Sequence, residues 1–257
     1  AIGARAASLD LSEVGNISSM IQYSVRWSVP WLYLAFAASS LAVVAPSRAS
    51  RWLLRNRRYI GLCFAAGMAW QLLFIVWMVV GHWGYYMENA YAFLNVAVQI
   101  PGYVLLILMT VTSFEPGRRK LSGRQWRTLH TYSIYFLWGT VWSTYWFELY
   151  YYDDIQPIDY IYYWVGFAAW GARMLAWSLR KRRSSSNDEG AGVARRLLSG
   201  GGLVLVATGL VGFAFGSLWA PWMLALVGSL GFTGELLELA VPFLPIFVIG
   251  MGALLVD

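Results

Sequence analysis

Apolar runs at about 27–46, 58–80, 91–113, 125–148, 157–179, 200–219 and 237–256 alternate with short polar or basic stretches along the chain. Each approaches the roughly 20 residues that a helix needs to cross a ~30 Å hydrocarbon core. The pattern predicts an all-α fold, a polytopic integral membrane bundle of about seven transmembrane helices. Ahead of it, residues 1–24 are moderately polar, with Ile17, Met20 and Ile21 at helical spacing, and predict a short interfacial helix. The sixth run is rich in small residues, among them Gly209, Gly212 and Gly216, which let membrane helices approach closely. Between it and the last run, Trp222–Gly234 is broken by Gly228 and Gly231 and reads as an interfacial or re-entrant piece.

Composition supports lipid rather than water as the solvent of this chain. Of 257 residues, 59% are hydrophobic and 12% charged, with a mean hydropathy of +0.54; a water-soluble domain carries about 25% charged residues. The net charge of +6 would suit nucleic acid if it were spread over one surface, but the basic residues sit in short loops between apolar runs. Arg48, Arg51, Arg55, Arg57 and Arg58 follow the first run. Arg118, Arg119, Lys120, Arg124 and Arg127 surround the start of the fourth. Arg180, Lys181, Arg182, Arg183, Arg195 and Arg196 follow the fifth, leaving only Arg5, Arg26 and Arg173 elsewhere. By the positive-inside rule the loops near 47–58, 115–127 and 180–199 are cytoplasmic. The opposite loops carry Glu88, Glu148, Asp153, Asp154 and Asp159, so Ala1 is expected outside, and Asp257 inside if the seventh run spans. Trp and Tyr gather at the expected outer ends, in Trp142–Tyr152 and Tyr160–Trp164, as an aromatic belt would place them.

Few residues carry candidate chemistry. The single cysteine, Cys63, lies inside an apolar run and allows neither a disulfide framework nor a CxxC metal site. The two histidines are His82, at the outer end of the second run, and His130, a few residues into the fourth. At ~1.5 Å per residue His130 is on the order of 10 Å from the basic boundary and His82 about 35 Å from it, so the two cannot share one haem iron within a protomer. His130 alone can be a one-sided haem ligand, an interhelical hydrogen-bonding group or an interfacial residue; His82 reads as interfacial. Gln71, Gln99, Ser143, Arg173, Glu235 and Glu238 are the other polar groups at membrane depth. Gln71 and Ser143 suit hydrogen bonds between helices, and Arg173 suits snorkelling toward the basic boundary. Glu235 and Glu238, one turn apart, suit either an interfacial pair or an ion site.

Arg57-Arg58-Tyr59-Ile60-Gly61-Leu62 opens the second run after a basic loop and resembles the RRxLGL motif of ferric reductase-like transmembrane domains. Arg119-Lys120-Leu121, followed by Trp126, Leu129, His130 and Tyr135, resembles their RKLG, W and LH segment. The likeness covers roughly residues 25–182 and is strongest to the haem-binding membrane subunit of the bacterial methionine sulfoxide reductase system. It implies a haem b bundle that passes electrons across a bacterial inner membrane, with histidine ligands on two helices. Of the three histidine positions it implies, His130 keeps one, while Gln71 and Ser143 stand at the other two. The family's usual first helix has no counterpart before residue 25. No flavin and nicotinamide domain follows residue 182, only a basic loop at 183–199 and a hydrophobic extension at 200–257.

The sequence thus predicts a non-catalytic, haem-less relative, a scaffold or accessory subunit of a respiratory or photosynthetic membrane complex. Its expected partners are other integral membrane subunits and lipids, not nucleic acid, with quinone, carotenoid or pigment as further ligands. The alternative is an electron-transfer protein holding haem b on His130 with a second ligand from elsewhere. A third reading is a small transporter using Glu235, Glu238 or Arg173.

Overall fold

The computed structural model describes residues 1–91, 93–150, 155–185, 193–229 and 240–255. Every regular element among them is helical, and the chain forms two compact units. The first comprises Ala1–Ala38 and Ser47–Val141; the second comprises Ser39–Pro46 and Trp142–Asp257.

The first unit begins with α1 (Ile2–Ala7) and α2 (Val14–Val44). Between them Ser12 donates to Asp10 Oδ1 from both its amide (3.0 Å) and its hydroxyl (2.7 Å). The hydroxyl bond, then the amide bond, holds the Asp10 carboxyl below its ordinary range. α2 starts at Val14, well ahead of the apolar run. Ile17 and Met20 are fully buried there, packed with Ala6, Phe74 and Met78. The helical spacing of residues 17–21 is therefore part of a long helix rather than a separate interfacial one. α3 (Arg48–Gly81) is started by a reciprocal capping box: Ser50 N–H donates to Ser47 Oγ at 3.1 Å and Ser47 N–H to Ser50 Oγ at 2.8 Å. It packs closely on α2 at Gly67, where an added Cβ would collide with the buried Ser28 hydroxyl. A single turn, α4 (Trp83–Tyr85), and a π-turn (Tyr86–Ala90) lead on from α3. α5 (Phe93–Thr112), α6 (Glu115–Arg118) and α7 (Gly123–Tyr150) follow, and Phe36 of α2 stacks on Trp138 of α7 at 5.3 Å.

The second unit holds the end of α7 with α8 (Pro157–Ser185), α9 (Val193–Ala214), α10 (Gly216–Ser229) and α11 (Leu244–Leu255). Asp159 is buried at the start of α8, where its Oδ2 accepts from Gln156 N–H at 3.0 Å. α9 and α10 meet at a 99° bend. Such a bend strips carbonyls of their helical partners, which is costly away from water. Here Trp219 Nε1 donates to Gly212 O at 2.5 Å and Tyr163 Oη to Phe213 O at 3.0 Å. Tyr163→Phe is expected to orphan the Phe213 carbonyl, lower stability by about 1–2 kcal/mol and speed hydrogen exchange around the bend. A melting curve and exchange mass spectrometry check both effects.

Among the described residues two helices, α2 and α3, are long and apolar enough to cross a membrane, and α9 with α10 makes a third if the bent pair is one span. The other expected crossings differ for identifiable reasons. Runs 125–148 and 157–179 lie in α7 and α8, helices of sufficient length whose apolar content is diluted by Trp, Tyr, Ser and Thr and by charges such as Arg127 and Arg173. In run 91–113 the described apolar helix is Val96–Thr112, 17 residues or about 26 Å at ~1.5 Å per residue. Run 200–219 is interrupted by the bend rather than continuous. In the last run the described part is a 3₁₀ turn and the 12 residues of α11, about 18 Å of helix.

Glycine packs the second unit as the sixth run suggested, with a partner that the run did not name. A Cβ on Gly209 would lie 2.8 Å from Pro245 O, and one on Gly252 would lie 2.6 Å from Gly202 O and 2.8 Å from Val206 N. α9 and α11 therefore touch backbone to backbone. Gly212 faces Pro245 at ordinary contact distance, and Gly216 opens α10. In the same unit Trp142 is fully buried against Tyr163, Phe213 and Phe243, with ring centroids 5.5, 4.9 and 5.6 Å away.

Candidate functional site

His130 sits in the second turn of α7, within the first unit, where α5, α6 and α7 converge. Trp126 lies one turn before it on the same face, so their rings stack with centroids 4.2 Å apart. The Trp126 indole N–H donates to Thr112 O at 3.0 Å, capping a carbonyl at the end of α5. Arg118 lies 4.9 Å over the Trp126 ring. Thr112 is buried, and its Oγ1 is 3.0 Å from His130 Nε2 and 2.6 Å from Leu108 O. A hydroxyl has one hydrogen. Given to Leu108 O, it leaves His130 Nε2 as the donor in the second contact.

This assignment bears on haem ligation. A protonated Nε2 has no lone pair for iron, and one face of the ring is covered by Trp126. Ligation through Nε2 would require breaking the bond to Thr112. Gln71, at another of the positions where the family resemblance implies a ligand, accepts from Tyr103 Oη at 2.8 Å and ties α3 to α5. As arranged, these residues do not fit a haem. They fit helix-to-helix hydrogen bonds in a medium without water, where a buried polar group needs an internal partner.

The remaining candidates lie apart from this cluster in sequence. Ser143 is buried in the second unit, and Arg173 is half-buried on α8. His82 ends α3, its N–H bonded to Met78 O at 2.9 Å. Cys63 is exposed on α3. Glu235 and Glu238, with Asp153 and Asp154, lie outside the described residues. Among the described residues no three His, Cys, Asp or Glu side chains gather as a metal site would need. Sequence reasoning missed Thr112 and Tyr103. The Trp126–His130 stack was legible as an i, i+4 pair, but nothing in the chain announces which side chain on a different helix answers His130 or Gln71.

The class of protein follows from these features: the chain is a helical membrane protein. No family model, curated protein or solved structure matches it.

Proposed function

We propose that this chain is a non-catalytic, haem-less membrane subunit of ferric reductase-like descent, serving as a scaffold or accessory component of a larger respiratory or photosynthetic complex. The observation that carries the reading is the use of the ligand positions. His130 Nε2 is hydrogen-bonded to Thr112 Oγ1 beside Trp126, and Gln71 accepts from Tyr103, so both act in joining helices. Exposed aromatic and aliphatic side chains along α3, including Leu73, Val76, Trp77 and Val80, offer a broad apolar face for neighbouring subunits or lipid.

In this reading the chain resides in a bacterial inner or intracytoplasmic membrane. All seven apolar runs lie across it, the more polar α7 and α8 being covered by partner helices. Ala1 is outside, and the basic loops near 47–58, 115–127 and 180–199 are cytoplasmic. The test is gentle purification from native membranes, with an absorption spectrum and identification of the chains that accompany it. The expected result is an assembly much larger than 28.9 kDa in which this chain contributes no Soret absorbance. A Soret band that disappears in His130→Ala overturns the proposal in favour of haem-based electron transfer.

A further inference from the structure

Within the first unit, α3 meets α5 at one level and the turn that follows α5 at another, and α3 and α5 are separated between them. At one level Tyr103 donates to Gln71; at the other, the Arg58 guanidinium lies 5.1 Å over the Phe114 ring. Between the two lies an open groove of about 350 Å³. Ala65, Ala66 and Ala69 of α3 form one wall and Leu106, Ile107 and Val111 of α5 the other. Thr110 also lines it, but its hydroxyl is spent on Leu106 O at 2.8 Å and brings no free polar group.

The groove has the dimensions of one lipid chain. From Leu62 to Leu72 on α3 it runs about 15 Å at ~1.5 Å per residue, half of a ~30 Å hydrocarbon core and so the depth of one leaflet. Arg58 lies one turn before Leu62 on the same helix face, and Phe114 lies one turn beyond Val111. The Arg58 guanidinium therefore lies beyond one end of the apolar channel, about a helical turn past its last lining residues. Its charge is not neutralised there: the nearby Glu115 pairs with Arg119 at 2.6 Å, and among the described residues no carboxylate pairs with Arg58. An apolar groove of leaflet depth with an uncompensated cation beyond one end complements an acyl chain carrying an anionic head.

We propose that this groove holds an anionic phospholipid of the leaflet facing the basic loops, one acyl chain lying between α3 and α5 and the phosphate on Arg58. The site needs only the membrane location, not the scaffold role. The full chain, stripped of lipid in neutral detergent, is titrated with phosphatidylglycerol and with phosphatidylcholine of identical acyl chains, and bound lipid is counted by native mass spectrometry. Phosphatidylglycerol should bind about fivefold more tightly, and Arg58→Gln should remove that preference. Ala66→Leu, which fills the groove from one wall, should weaken both lipids while leaving the melting temperature of the lipid-free protein unchanged. Equal affinity for the two lipids, or a preference that survives Arg58→Gln, overturns the headgroup assignment. Undiminished binding to Ala66→Leu, or competition by inorganic phosphate alone, overturns the groove. A photocrosslinker at Ala69 in native membranes that captures a polypeptide instead of phospholipid also overturns it. None of these outcomes depends on the haem spectrum that decides the scaffold reading.

Discussion

Gly252→Val is expected to unseat α11 from α9 and to lower the stability of the second unit by about 3 kcal/mol, the upper end of overpacking costs. The neighbours of the missing side chain are backbone atoms, Gly202 O and Val206 N, with Leu205 Cβ at 2.9 Å. A flexible side chain can swing away from a new methyl, but a helix backbone must move as a body. Close backbone approach matters more here than in water, because lipid tails are as apolar as Leu. Packing and hydrogen bonds, not exclusion of water, then hold the helices together. Gly250, two residues earlier on α11, has nothing within 4 Å of an added Cβ, so Gly250→Val is the matched control and should change little. Unfolding in mixed micelles, followed by circular dichroism, separates the two. Equal effects at both positions would mean that α11 does not dock through Gly252.

The second large effect is expected at Trp142. Its indole is fully buried among Tyr163, Phe213 and Phe243, and Phe167 adds a ring 3.8 Å from Phe213. Truncating such a side chain removes many contacts and leaves a void that rigid rings close poorly. Trp142→Ala should cost about 3 kcal/mol, near the low end for tryptophan because lipid surroundings reduce the transfer part of the loss. Trp142→Phe should recover much of it by keeping a ring in the cluster. Trp222→Ala should have little effect, since that side chain is 79% exposed. The same loss at positions 142 and 222 would show that the cluster does not organise this unit.

Both sites illustrate what could be read in the chain. The Gly209 and Gly212 pattern pointed to a close helix contact, because small residues at near-helical spacing have few other uses in an apolar run. Gly252, which meets Gly202 and Val206 further along α9, was not legible as part of the same helix contact, since pairing depends on which helix returns to face α9. Trp142 reads in sequence as a member of an interfacial aromatic belt, and only the fold shows it enclosed by three other rings. Ile17 and Met20 were legible as a helical face, but their burial depends on Phe74 and Met78 of α3. The break in run 200–219 was hidden for a similar reason. The chain contains no proline at residue 215, and the bend is tolerated because the side chains of Trp219 and Tyr163 take up the freed carbonyls.

By itself the sequence determined the helical class, the lipid solvent and the apolar stretches of the long helices α2 and α3, though not their starts at Val14 and Arg48. Apolarity and helical period are local properties that a single chain displays openly. It also marked His130 and Gln71 as unusual, because polar groups in apolar helices are expensive. Only the tertiary structure decided what these groups do. Whether His130 offers a lone pair or a proton depends on the Thr112 hydroxyl, 18 residues away along the chain, and the role of Gln71 depends on Tyr103, 32 residues away. A hydrogen bond is directional and short, so the partner is chosen by helix packing rather than by anything written beside the residue.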